Sequence, residues 1–423
     1  MKMALIHCIL NINATVMVTG MVLLDSNLAN KDFTPKQFRA DFPALNSNSV
    51  YLDSAATALK PQVMVDATVA YYAHNTATAK RSLHHDALQV TVAIDKARQH
   101  VANLLHASNN TEIIWTRGAT ESINLIAQSY ARGVLQSNDE IIVSELEHHS
   151  NLIPWLIVAK QTGAKIIKWS ANIDELSSLI SSKTKIVAIT HMSNVTGFCP
   201  NLATISQIVH QHNAILVVDG AQGIVHHDID VTTLDIDFYV FSAHKLYGPT
   251  GLGVLYGKQT LLEQMSVWHG GGKMLKSTSF DDFIQEDTPY KFEAGTPNIA
   301  GIVGFNATLD WLNNWDMKKA ENYTEQLAHY TKSQLSKLSN LQFYSVENSP
   351  IITFNINHIH HNDVAILLSE QNIAIRTGEL CAQPLMNKLG CHGVIRLSLM
   401  PYNNEQDVDA FILALQNAIE ILA

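Results

Sequence analysis

The stretch that decides the fold is ILVVDGAQ at residues 215–222, followed by DFYVFSAHK at residues 237–245. Both contain apolar runs of the kind that form strands buried on both faces of a parallel sheet. The first run ends at Asp219 and the second leads to Lys245, 26 residues further on. That separation suits one strand–helix–strand unit. The pattern therefore predicts a carboxylate and an amine at neighbouring strand ends.

The same alternation extends from about residue 48 to residue 256. A helix is predicted over residues 120–135, where positions 123, 126, 127 and 130 are apolar or aromatic and share one face. Strands that alternate with helices predict a mostly parallel sheet covered on both sides. The predicted strands are residues 113–116, 140–144, 165–169, 185–190, 215–219, 237–241 and 253–256.

The alternation of strand and helix patterns ends at Gly295-Thr296-Pro297. A helical stretch over residues 304–315 leads into a second unit, which ends in an amphipathic helix with Asn403 or Asn404 as its cap. We therefore predict an α/β protein with a large, mostly parallel-sheet domain over residues 33–306 and a smaller α+β domain over residues 307–423. Ligands of such proteins bind beyond the carboxyl ends of the strands or between domains. The apolar face of the last helix carries Val408, Phe411, Ile412, Leu415, Ile419 and Leu422.

Residues 1–32 are predicted to be an extension of unknown role. Apolar runs at residues 3–10 and 16–24 faintly resemble a signal peptide. Polar residues such as Asn11 and Asn13 interrupt them, and no small-residue cleavage site follows. The segment is also a poor spanning helix. We prefer an extension with Met21 as the functional start.

Composition narrows the possible functions. The 423 residues are 47% hydrophobic and 16% charged, with a formal net charge of −10. This suits a compact soluble enzyme with two or three packed units and gives no electrostatic reason to expect nucleic acid. No later segment resembles a membrane span.

The cysteines indicate a reducing compartment. They are few and form no CxxC pair, so a disulfide framework or a zinc site is not expected, and a cytoplasmic location is. A redox couple of Cys381 with Cys391 is a disfavoured alternative. The four are Cys8, Cys199, Cys381 and Cys391.

Asp219 and Lys245 are the first candidate site residues. A lysine in an apolar pocket or beside other cations loses its proton readily and forms Schiff bases. A carboxylate at a strand end can pair with a protonated pyridine nitrogen, and Gln222 lies three residues further on. Taken singly, each has a plain structural alternative: a surface lysine or a strand-end turn.

A phosphate site is indicated by WTRGATE at residues 115–121, which joins a strand to a helix. The hydroxyl of Thr120 and nearby N–H groups would lie at a helix N-terminus, where anions are stabilised. A capping turn would look the same. The motif lacks the lysine of a nucleotide-binding loop, which counts against a kinase or ATPase.

Two histidine-rich stretches are present, and we interpret one as functional and the other as a surface loop. His148, in EHHSN at residues 147–151, is a candidate for stacking on an aromatic cofactor and for proton transfer. No metal-ligand spacing accompanies it. The motif HIHH at residues 358–361 is predicted to be a solvated loop.

Cys381 lies in a loop bounded by Gly378 and Pro384. A loop cysteine near arginines can have a lowered pKa and act as a thiolate. The alternative is an ordinary buried cysteine. Arg396, on the following strand, suits a substrate carboxylate or a structural ion pair.

Taken in order, these motifs resemble the class V aminotransferase family of fold-type I pyridoxal 5′-phosphate enzymes. Within it they resemble the group II cysteine desulfurases and cysteine sulfinate desulfinases. The resemblance runs from about residue 37 to the C-terminus. It is carried by QFRADFP (37–43), YLDSAATA (51–58), SNVTG (193–197), FEAGTPN (292–298) and residues 115–124, 147–155, 218–222, 238–253 and 381–386.

The resemblance implies an activity: L-cysteine or a related amino acid gives its sulfur to Cys381 as a persulfide, and L-alanine is released. Lys245 would carry the cofactor, while Arg396 binds the substrate carboxylate with Arg376 and Asn194 beside it. The resemblance also implies a homodimer, with Thr296 reaching into the partner's site, and a sulfur-acceptor protein. The other cofactor-binding residues implied are Asp219 at the pyridine nitrogen, Gln222 at the phenolic oxygen, His148 on the ring, Asn194 near the cofactor oxygen, and Ala119, Thr120, Ser242 and His244 at the phosphate.

The sequence departs from its relatives at two places. Glu379 and Leu380 precede Cys381, where related enzymes often carry histidine, and a nearby acid raises the pKa of a thiol. Lys80 stands before Arg81, where some relatives have histidine. Selenocysteine and cysteine sulfinate, whose leaving atoms depart more easily, are therefore expected as further substrates.

Two rival functions stay open. A transaminase or a selenocysteine lyase would use the same cofactor, but a transaminase has no use for Cys381. A non-catalytic sulfur-transfer scaffold would have no use for Lys245, Asp219 and His148 together. Alanine release from the three candidate substrates separates these alternatives.

Overall fold

The structure is a computed structural model that describes residues 32–46, 49–79 and 84–422. The predicted extension, apart from Asp32, and the Lys80–Arg81 pair lie outside these residues. The strands are β1 (Val50–Tyr51), β2 (Ile113–Thr116), β3 (Glu140–Ser144), β4 (Lys165–Trp169), β5 (Thr184–Thr190), β6 (Ile215–Asp219), β7 (Phe238–Ser242), β8 (Gly253–Gly257), β9 (Leu275–Thr278), β10 (Phe283–Gln285), β11 (Leu341–Phe343), β12 (Ile351–Ile356), β13 (Ile373–Ala374), β14 (Arg376–Gly378) and β15 (Val394–Ser398).

The α-helices alternate with these strands over most of the described chain. They are α1 (Pro35–Ala40), α2 (Gln62–His74), α3 (His85–Leu105), α4 (Ala119–Ile126), α5 (Arg132–Val134), α6 (Ile153–Thr162), α7 (Ile173–Leu179), α8 (Leu202–Gln211), α9 (Gly223–His226), α10 (Gln259–Gln264), α11 (Ile299–Leu312), α12 (Met317–Leu335), α13 (His361–Glu370), α14 (Gln383–Leu389) and α15 (Glu405–Leu422).

The large sheet has the strand order β2-β8-β7-β6-β5-β3-β4. Strands β4, β3, β5, β6 and β7 run parallel, whereas β8 is antiparallel to both of its neighbours. Every residue of β7 and β8 is buried, as expected for strands covered on both faces. All seven predicted strands are present, with ends that differ by at most one residue. The predicted parallel sheet is confirmed, with β8 as its antiparallel member.

The helix predicted over residues 120–135 is interrupted. The structure has α4, then a π-helical turn over Ala127–Ala131, then α5. The carbonyl oxygen of Ser129 in this turn accepts hydrogen bonds from the Ser266 N–H and Oγ at 3.1 and 3.2 Å. The widened turn thus bonds to a neighbouring segment, a contact that helical periodicity does not reveal.

The helix predicted over residues 304–315 begins earlier and ends earlier, because α11 spans Ile299–Leu312. Asn298 caps it by accepting the Gly301 N–H at 3.0 Å. Gly304 lies against α2, and a Cβ there would come within 2.4 Å of Thr68 Oγ1. The glycines that lower the helix propensity of this stretch are therefore sites of close packing.

The smaller sheet has the order β11-β12-β15-β14 and is antiparallel throughout. Its core includes residues of α12, α13 and α15. Asn404 caps α15, since its Oδ1 accepts the Asp407 N–H at 2.9 Å. Leu52, far away in sequence, is fully buried in the same core, and β1 pairs with β13 in parallel. The N-terminal segment therefore packs against the small unit.

Among the described helices, none combines the length and the apolar character that a membrane crossing requires.

Candidate active site

The carboxyl ends of β5 and β6 face a cavity of about 300 Å³. Residues of the large sheet line one side, and residues of β14, β15 and the loop between them line the other. The position follows the general rule that ligands of open α/β sheets bind beyond the carboxyl ends of their strands. The predicted site residues that line this cavity are Ala119, Thr120, His148, Asn194, Asp219, Gln222, Ser242, His244, Lys245, Arg376, Cys381 and Arg396.

Thr296 is the exception among the predicted site residues. It lines a different cavity of about 710 Å³, together with Trp115, Arg117 and Trp268. Its own subunit therefore does not bring Thr296 to the cavity of Lys245.

Asp219 is the last residue of β6 and is buried. Its Oδ1 accepts the Ala221 N–H at 3.0 Å. Burial raises the pKa of Asp219, while that hydrogen bond and the charge of Lys245 oppose the rise. A carboxylate in such a place is stabilised further by any cation that enters the cavity. Gln222 follows on the next turn, with its Nε2 on the Ala55 carbonyl at 2.7 Å.

Lys245 ends the short 3₁₀ turn that follows β7. Burial lowers the pKa of its amine to about 8; Arg396 and Arg376 reinforce the shift and Asp219 opposes it. Lys60 is partly buried, and burial lowers its pKa to about 8 as well. Its amine, however, donates to Thr57 Oγ1, Ala58 O and His244 O at 3.3, 2.5 and 2.8 Å. Lys245 is therefore the amine that is available for a nucleophilic role.

His148 enters the cavity from the segment that follows β3. Its Nδ1 lies 3.0 Å from Ser150 Oγ and accepts the Ser150 N–H at 3.1 Å. Burial and then the charge of Lys245 lower the pKa of His148 to about 4. The ring is thus neutral at physiological pH, which suits stacking on an aromatic ring.

Glu147, directly before His148, is completely enclosed by hydrogen-bond donors. Its Oε1 accepts the Thr190 N–H at 2.8 Å and lies against Ser144 Oγ. Its Oε2 accepts from Asn151 Nδ2 at 2.6 Å. Burial, with Asp219 nearby, raises the pKa of Glu147 to about 8. This carboxyl fixes the segment that carries His148.

The N-terminus of α4 is a candidate anion site. The Ala119 N–H donates to Ser242 Oγ at 2.8 Å, and Thr120 Oγ1 lies 2.7 Å from Ser150 Oγ. All of these groups face the cavity. Burial and Lys245 lower the pKa of the nearby His244 to about 4, so this histidine binds as a neutral donor or acceptor. The helix N-terminus and its dipole favour a phosphate here.

Arg396 and Arg376 approach the cavity from the small sheet. Arg396 is buried and donates from Nη1 to the Asn194 carbonyl at 3.0 Å. Both arginines also bind Asp53, Arg396 from Nη2 at 3.1 Å and Arg376 from Nη2 at 2.9 Å. Within the described residues, Nε of Arg396 is buried without a hydrogen-bond partner.

The Cys381 loop is held by its main chain. Leu380 and Cys381 have φ values of 53° and 54°, in the left-handed region that side chains other than glycine rarely adopt. The Cys381 carbonyl accepts the His149 N–H at 2.7 Å, and the Leu380 carbonyl accepts from Asn194 Nδ2 at 2.9 Å. The thiol itself is free and exposed. The strained loop therefore presents sulfur at the cavity.

Glu379, the acid that replaces the expected histidine, is turned toward Gln383, whose Nε2 donates to its Oε2 at 2.6 Å. His149 takes part in the same turn, since its Nε2 accepts the Gln383 N–H at 3.3 Å. A histidine thus lies at the reactive loop after all, although it comes from a distant segment.

The groups that line this cavity fit pyridoxal 5′-phosphate. The buried carboxylate of Asp219 suits the pyridine nitrogen. The amine of Lys245, which loses its proton readily, suits the aldehyde carbon, and the N-terminus of α4 suits the phosphate. A neutral histidine is present for the ring face. The buried, unpartnered Nε of Arg396 suits a carboxylate from the substrate.

Sequence reasoning missed the roles of Asp53 and Glu147. Both stand in stretches that carried the family resemblance, but no spacing rule links Asp53 to Arg396 or Glu147 to Thr190. The only signal was local: an acid directly after a short apolar strand in YLDSAATA, and another directly before the histidines.

The other titratable motifs lie elsewhere. His360 caps α13 by accepting the Asn362 N–H at 3.3 Å and is exposed, like His358. Within the described residues, no cluster of three or more metal-ligating side chains is present. Cys391 is a free thiol that packs against Met386.

Comparisons with known proteins point to one family. A model of the aminotransferase class-V family matches residues 50–411. The chain is 50% identical to the cysteine desulfurase CsdA of Escherichia coli (strain K12) over 396 residues, which are 92% of this chain and 99% of that protein.

Solved structures agree. The crystal structure of Escherichia coli CsdA (S-sulfonic acid) matches with a TM-score of 0.88 at 49% identity, over 92% of this chain and 100% of that one. The apo cysteine desulfurase of Thermococcus onnurineus NA1 matches with a TM-score of 0.88 at 30% identity, over 92% and 99%. The predicted fold class is thereby confirmed. On this family match, identity and coverage, the chain belongs to the aminotransferase class-V family.

Proposed function

We propose that this protein is a pyridoxal 5′-phosphate-dependent cysteine desulfurase that converts L-cysteine to L-alanine and keeps the sulfur as a persulfide on Cys381. The observation that carries the proposal is a free cysteine thiol that shares one cavity with Lys245, Asp219 and Arg396. The similarity to cysteine desulfurases over 92% of the chain supports it.

When bound, the cofactor supplies an electron sink that stabilises negative charge at the substrate Cα. Lys245 would hold the cofactor and move the Cα proton, a role that suits an amine with a pKa of about 8. Asp219 would hold the protonated pyridine nitrogen, because a buried carboxylate is best stabilised by a cation.

Other residues position the reactants. Gln222 would bind the phenolic oxygen, and the neutral His148 would cover the ring and serve in proton transfer. Arg396 holds the substrate carboxylate, with Asn194 and Arg376 beside it. The phosphate would be held by Ala119, Thr120, Ser242 and His244, which all line the cavity.

Cys381 performs the sulfur transfer. Its thiolate attacks the substrate sulfur, so an S–S bond forms as the substrate Cβ–S bond breaks. The electron pair of the broken bond goes to Cβ, which becomes the methyl group of alanine after protonation. The exposure of the thiol leaves it accessible to a sulfur-acceptor protein.

The assembly and location are part of the same proposal. We place the functional unit in a homodimer, with Thr296 serving the partner's phosphate site, because Thr296 lines a separate cavity in its own subunit. We divide the chain into an extension over residues 1–32, a large cofactor-binding part over residues 33–306 and a small part over residues 307–423 that carries the Cys381 loop. The free thiols Cys199, Cys381 and Cys391 fit a cytoplasmic enzyme.

Replacement of Cys381 tests the proposal. Cys381→Ala is expected to lose nearly all alanine release from L-cysteine, because no other thiol lines the described cavity. It should keep much of its activity on selenocysteine and cysteine sulfinate, whose leaving groups need less nucleophilic help. Alanine release from each substrate is measured for both proteins.

The matched control is Cys391→Ala, which removes a thiol from the same unit but not from the cavity. It should behave like the wild type. After incubation with cysteine, mass spectrometry should find one extra sulfur on the Cys381 peptide alone. Equal cysteine turnover by wild type and Cys381→Ala would contradict desulfuration and favour a lyase or transaminase.

A further inference from the structure

His149 binds the Cys381 loop at two points. Its main-chain N–H donates to the Cys381 carbonyl at 2.7 Å, and its ring Nε2 accepts the Gln383 N–H at 3.3 Å. The two bonds lie on either side of Ala382, so they enclose the residue next to the thiol. His149 and Gln383 are 234 positions apart in the chain, and the contact therefore joins two distant segments.

The Cys381 loop depends on contacts of this kind because its main chain is strained. Leu380 and Cys381 both have positive φ values, and such residues persist only where the surrounding structure holds them. Two bonds close the turn on itself: the Ala382 N–H donates to the Glu379 carbonyl at 2.9 Å, and Gln383 Nε2 donates to Glu379 Oε2 at 2.6 Å. These internal bonds shape the turn but do not attach it to the protein. Groups outside the turn therefore set the position of the thiol.

The outside contacts of the loop come from three groups. Asn194 Nδ2 donates to the Leu380 carbonyl at 2.9 Å, and the Leu380 side chain is buried in the same apolar cluster as Leu146. His149 supplies the two bonds on either side of Ala382. Asn194 and Leu380 line the cavity, whereas His149 does not. The ring of His149 can therefore be changed without changing the wall of the cavity.

The segment that carries His149 also carries His148, whose ring lines the cavity. The centroids of the two rings are 6.3 Å apart and their planes are tilted by 48°. One ring thus serves the cavity and the other serves the Cys381 loop. Glu147 fixes the segment, since it accepts the Thr190 N–H at 2.8 Å. A short and well-anchored piece of chain therefore relates the place of the thiol to the place of the cofactor.

We propose that His149 is a positioning residue for sulfur transfer: its ring holds the Cys381 loop where the thiolate can attack, and it binds neither cofactor nor substrate. The inference rests on the proposed function, in which an S–S bond forms as the Cβ–S bond of the substrate breaks. That step requires the attacking sulfur to be close to the substrate sulfur and aligned with the bond that breaks. A loop that loses its outside contacts no longer meets this requirement.

The test compares two substrates of the cofactor-loaded enzyme, one that needs the thiolate and one that does not. His149→Leu removes the acceptor of the Gln383 N–H, so kcat for alanine release from L-cysteine should fall at least about tenfold, since a misplacement of about 1 Å can cost about a hundredfold. Alanine release from cysteine sulfinate should stay close to that of the wild type, because its leaving group needs less help from Cys381. L-alanine binding, followed through cofactor absorbance, should also be unchanged.

Two further variants serve as controls. His149→Gln places an amide oxygen near the position of Nε2, where it can accept the Gln383 N–H, and it should recover most of the lost kcat on cysteine. Gln383→Ala removes the internal bond to Glu379 but keeps the N–H that His149 accepts, and it should turn over cysteine like the wild type. No recovery in His149→Gln, or a loss in Gln383→Ala as large as that in His149→Leu, would overturn the inference.

The substrate comparison also separates this inference from the proposed function. Unchanged cysteine turnover in His149→Leu, or an equal loss on cysteine and cysteine sulfinate, would contradict the role of His149. A wild type that releases no alanine from cysteine would instead contradict the proposed function.

Amide hydrogen exchange gives a measurement that does not depend on activity. In the cofactor-free protein, residues 378–386 should exchange faster in His149→Leu than in the wild type, because a bond that holds the strained turn has been removed. His149→Gln should restore slow exchange. Equal exchange in His149→Leu and the wild type would show that other contacts hold the loop, and it would overturn the inference.

Discussion

The hydrogen-bond partners of Glu147 require a side chain with two accepting oxygens at this position. The Thr190 main-chain N–H donates to one oxygen, and Asn151 Nδ2 donates to the other. Asn151 cannot turn over, because its own Oδ1 accepts from Trp155 Nε1 at 3.0 Å. Both oxygens of residue 147 must therefore accept. A carboxyl group does so, and its Oε1 also accepts from Ser144 Oγ.

Glu147→Gln should consequently destabilise the protein. The amide NH₂ must face either Thr190 N–H or Asn151 NH₂, and an unsatisfied buried donor costs about 1–3 kcal/mol. Thermal unfolding of the cofactor-free variant at pH 5 measures the loss. Cofactor affinity should fall as well, because the segment that carries His148 is displaced.

The deficit of Glu147→Gln should shrink as the pH rises from 5 to 8. The raised pKa of Glu147, about 8, means that the folded wild type keeps a proton that the unfolded chain releases near pH 4.5. Wild-type stability therefore falls across this window, whereas glutamine does not titrate. Glu145→Gln, on the same segment but paired with Lys168 and Lys388, is the control and should lack this pH-dependent convergence. A deficit that stays constant from pH 5 to 8 would show that Glu147 is ionised throughout.

Residues at strand ends could be predicted from the sequence, and residues that compensate them could not. Asp219 ends one apolar run and Lys245 follows another, so the sequence alone predicts that both lie at the edge of the sheet. Asp53 binds arginines that lie more than three hundred positions away. Glu147 depends on the orientation of one amide, which no local pattern encodes.

At the scale of elements, α15 is fastened to the N-terminal segment by Asp407. This residue accepts from Arg39 Nη1 and Nη2 at 2.7 and 3.1 Å, which ties α1 to α15. It also accepts the Asn404 N–H at 3.2 Å, while Asn404 caps the Asp407 N–H in return. This reciprocal cap is the kind that defines a helix start.

Asp407→Ala should cost about 2–3 kcal/mol in unfolding free energy, because it leaves a partly buried guanidinium and a helix end without their partner. Asp409→Ala is the matched control on the same helix, where the lost partner is the exposed hydroxyl of Tyr330. It should cost no more than about 0.5 kcal/mol. Thermal unfolding of the wild type and the two variants measures the loss of unfolding free energy. An equal loss in both variants would refute the special role of Asp407.

The sequence predicted elements where one periodicity dominates. All seven strands of the large sheet and the amphipathic face of α15 were found in this way. The direction of β8 was not, since an apolar run reads the same in either orientation. The π turn at Ala127–Ala131 was not predicted either, because helical periodicity does not reveal its hydrogen bond with Ser266.

At the scale of the molecule, the cavity belongs to two units at once. Asp219 and Lys245 come from the large sheet, whereas Arg396 and Cys381 come from the small sheet and its loop. Thr296 faces a separate cavity. If Thr296 completes the site of a second subunit, a specific pattern of complementation is expected.

Hybrid dimers test that pattern. Lys245→Ala subunits should be inactive alone, and Thr296→Val subunits strongly impaired. If Thr296 serves the partner, a refolded mixture contains hybrids with one intact site and should recover roughly a quarter of wild-type alanine release. Mixing Lys245→Ala with Cys381→Ala should recover nothing, since both residues line one cavity within a subunit. Absence of recovery in the first mixture would mean that Thr296 does not act across the dimer.

The pairing of β1 with β13, and of Asp53 with Arg376 and Arg396, has a consequence for synthesis on the ribosome. Domains tend to fold as they emerge, and the N-terminal part emerges first. A nascent chain that has passed β8 already holds Lys245 and Asp219, but Leu52 and Asp53 still await their partners. The growing chain can thus bind the cofactor before its substrate-binding residues are assembled. An incomplete chain therefore cannot take sulfur from the cysteine of the cell.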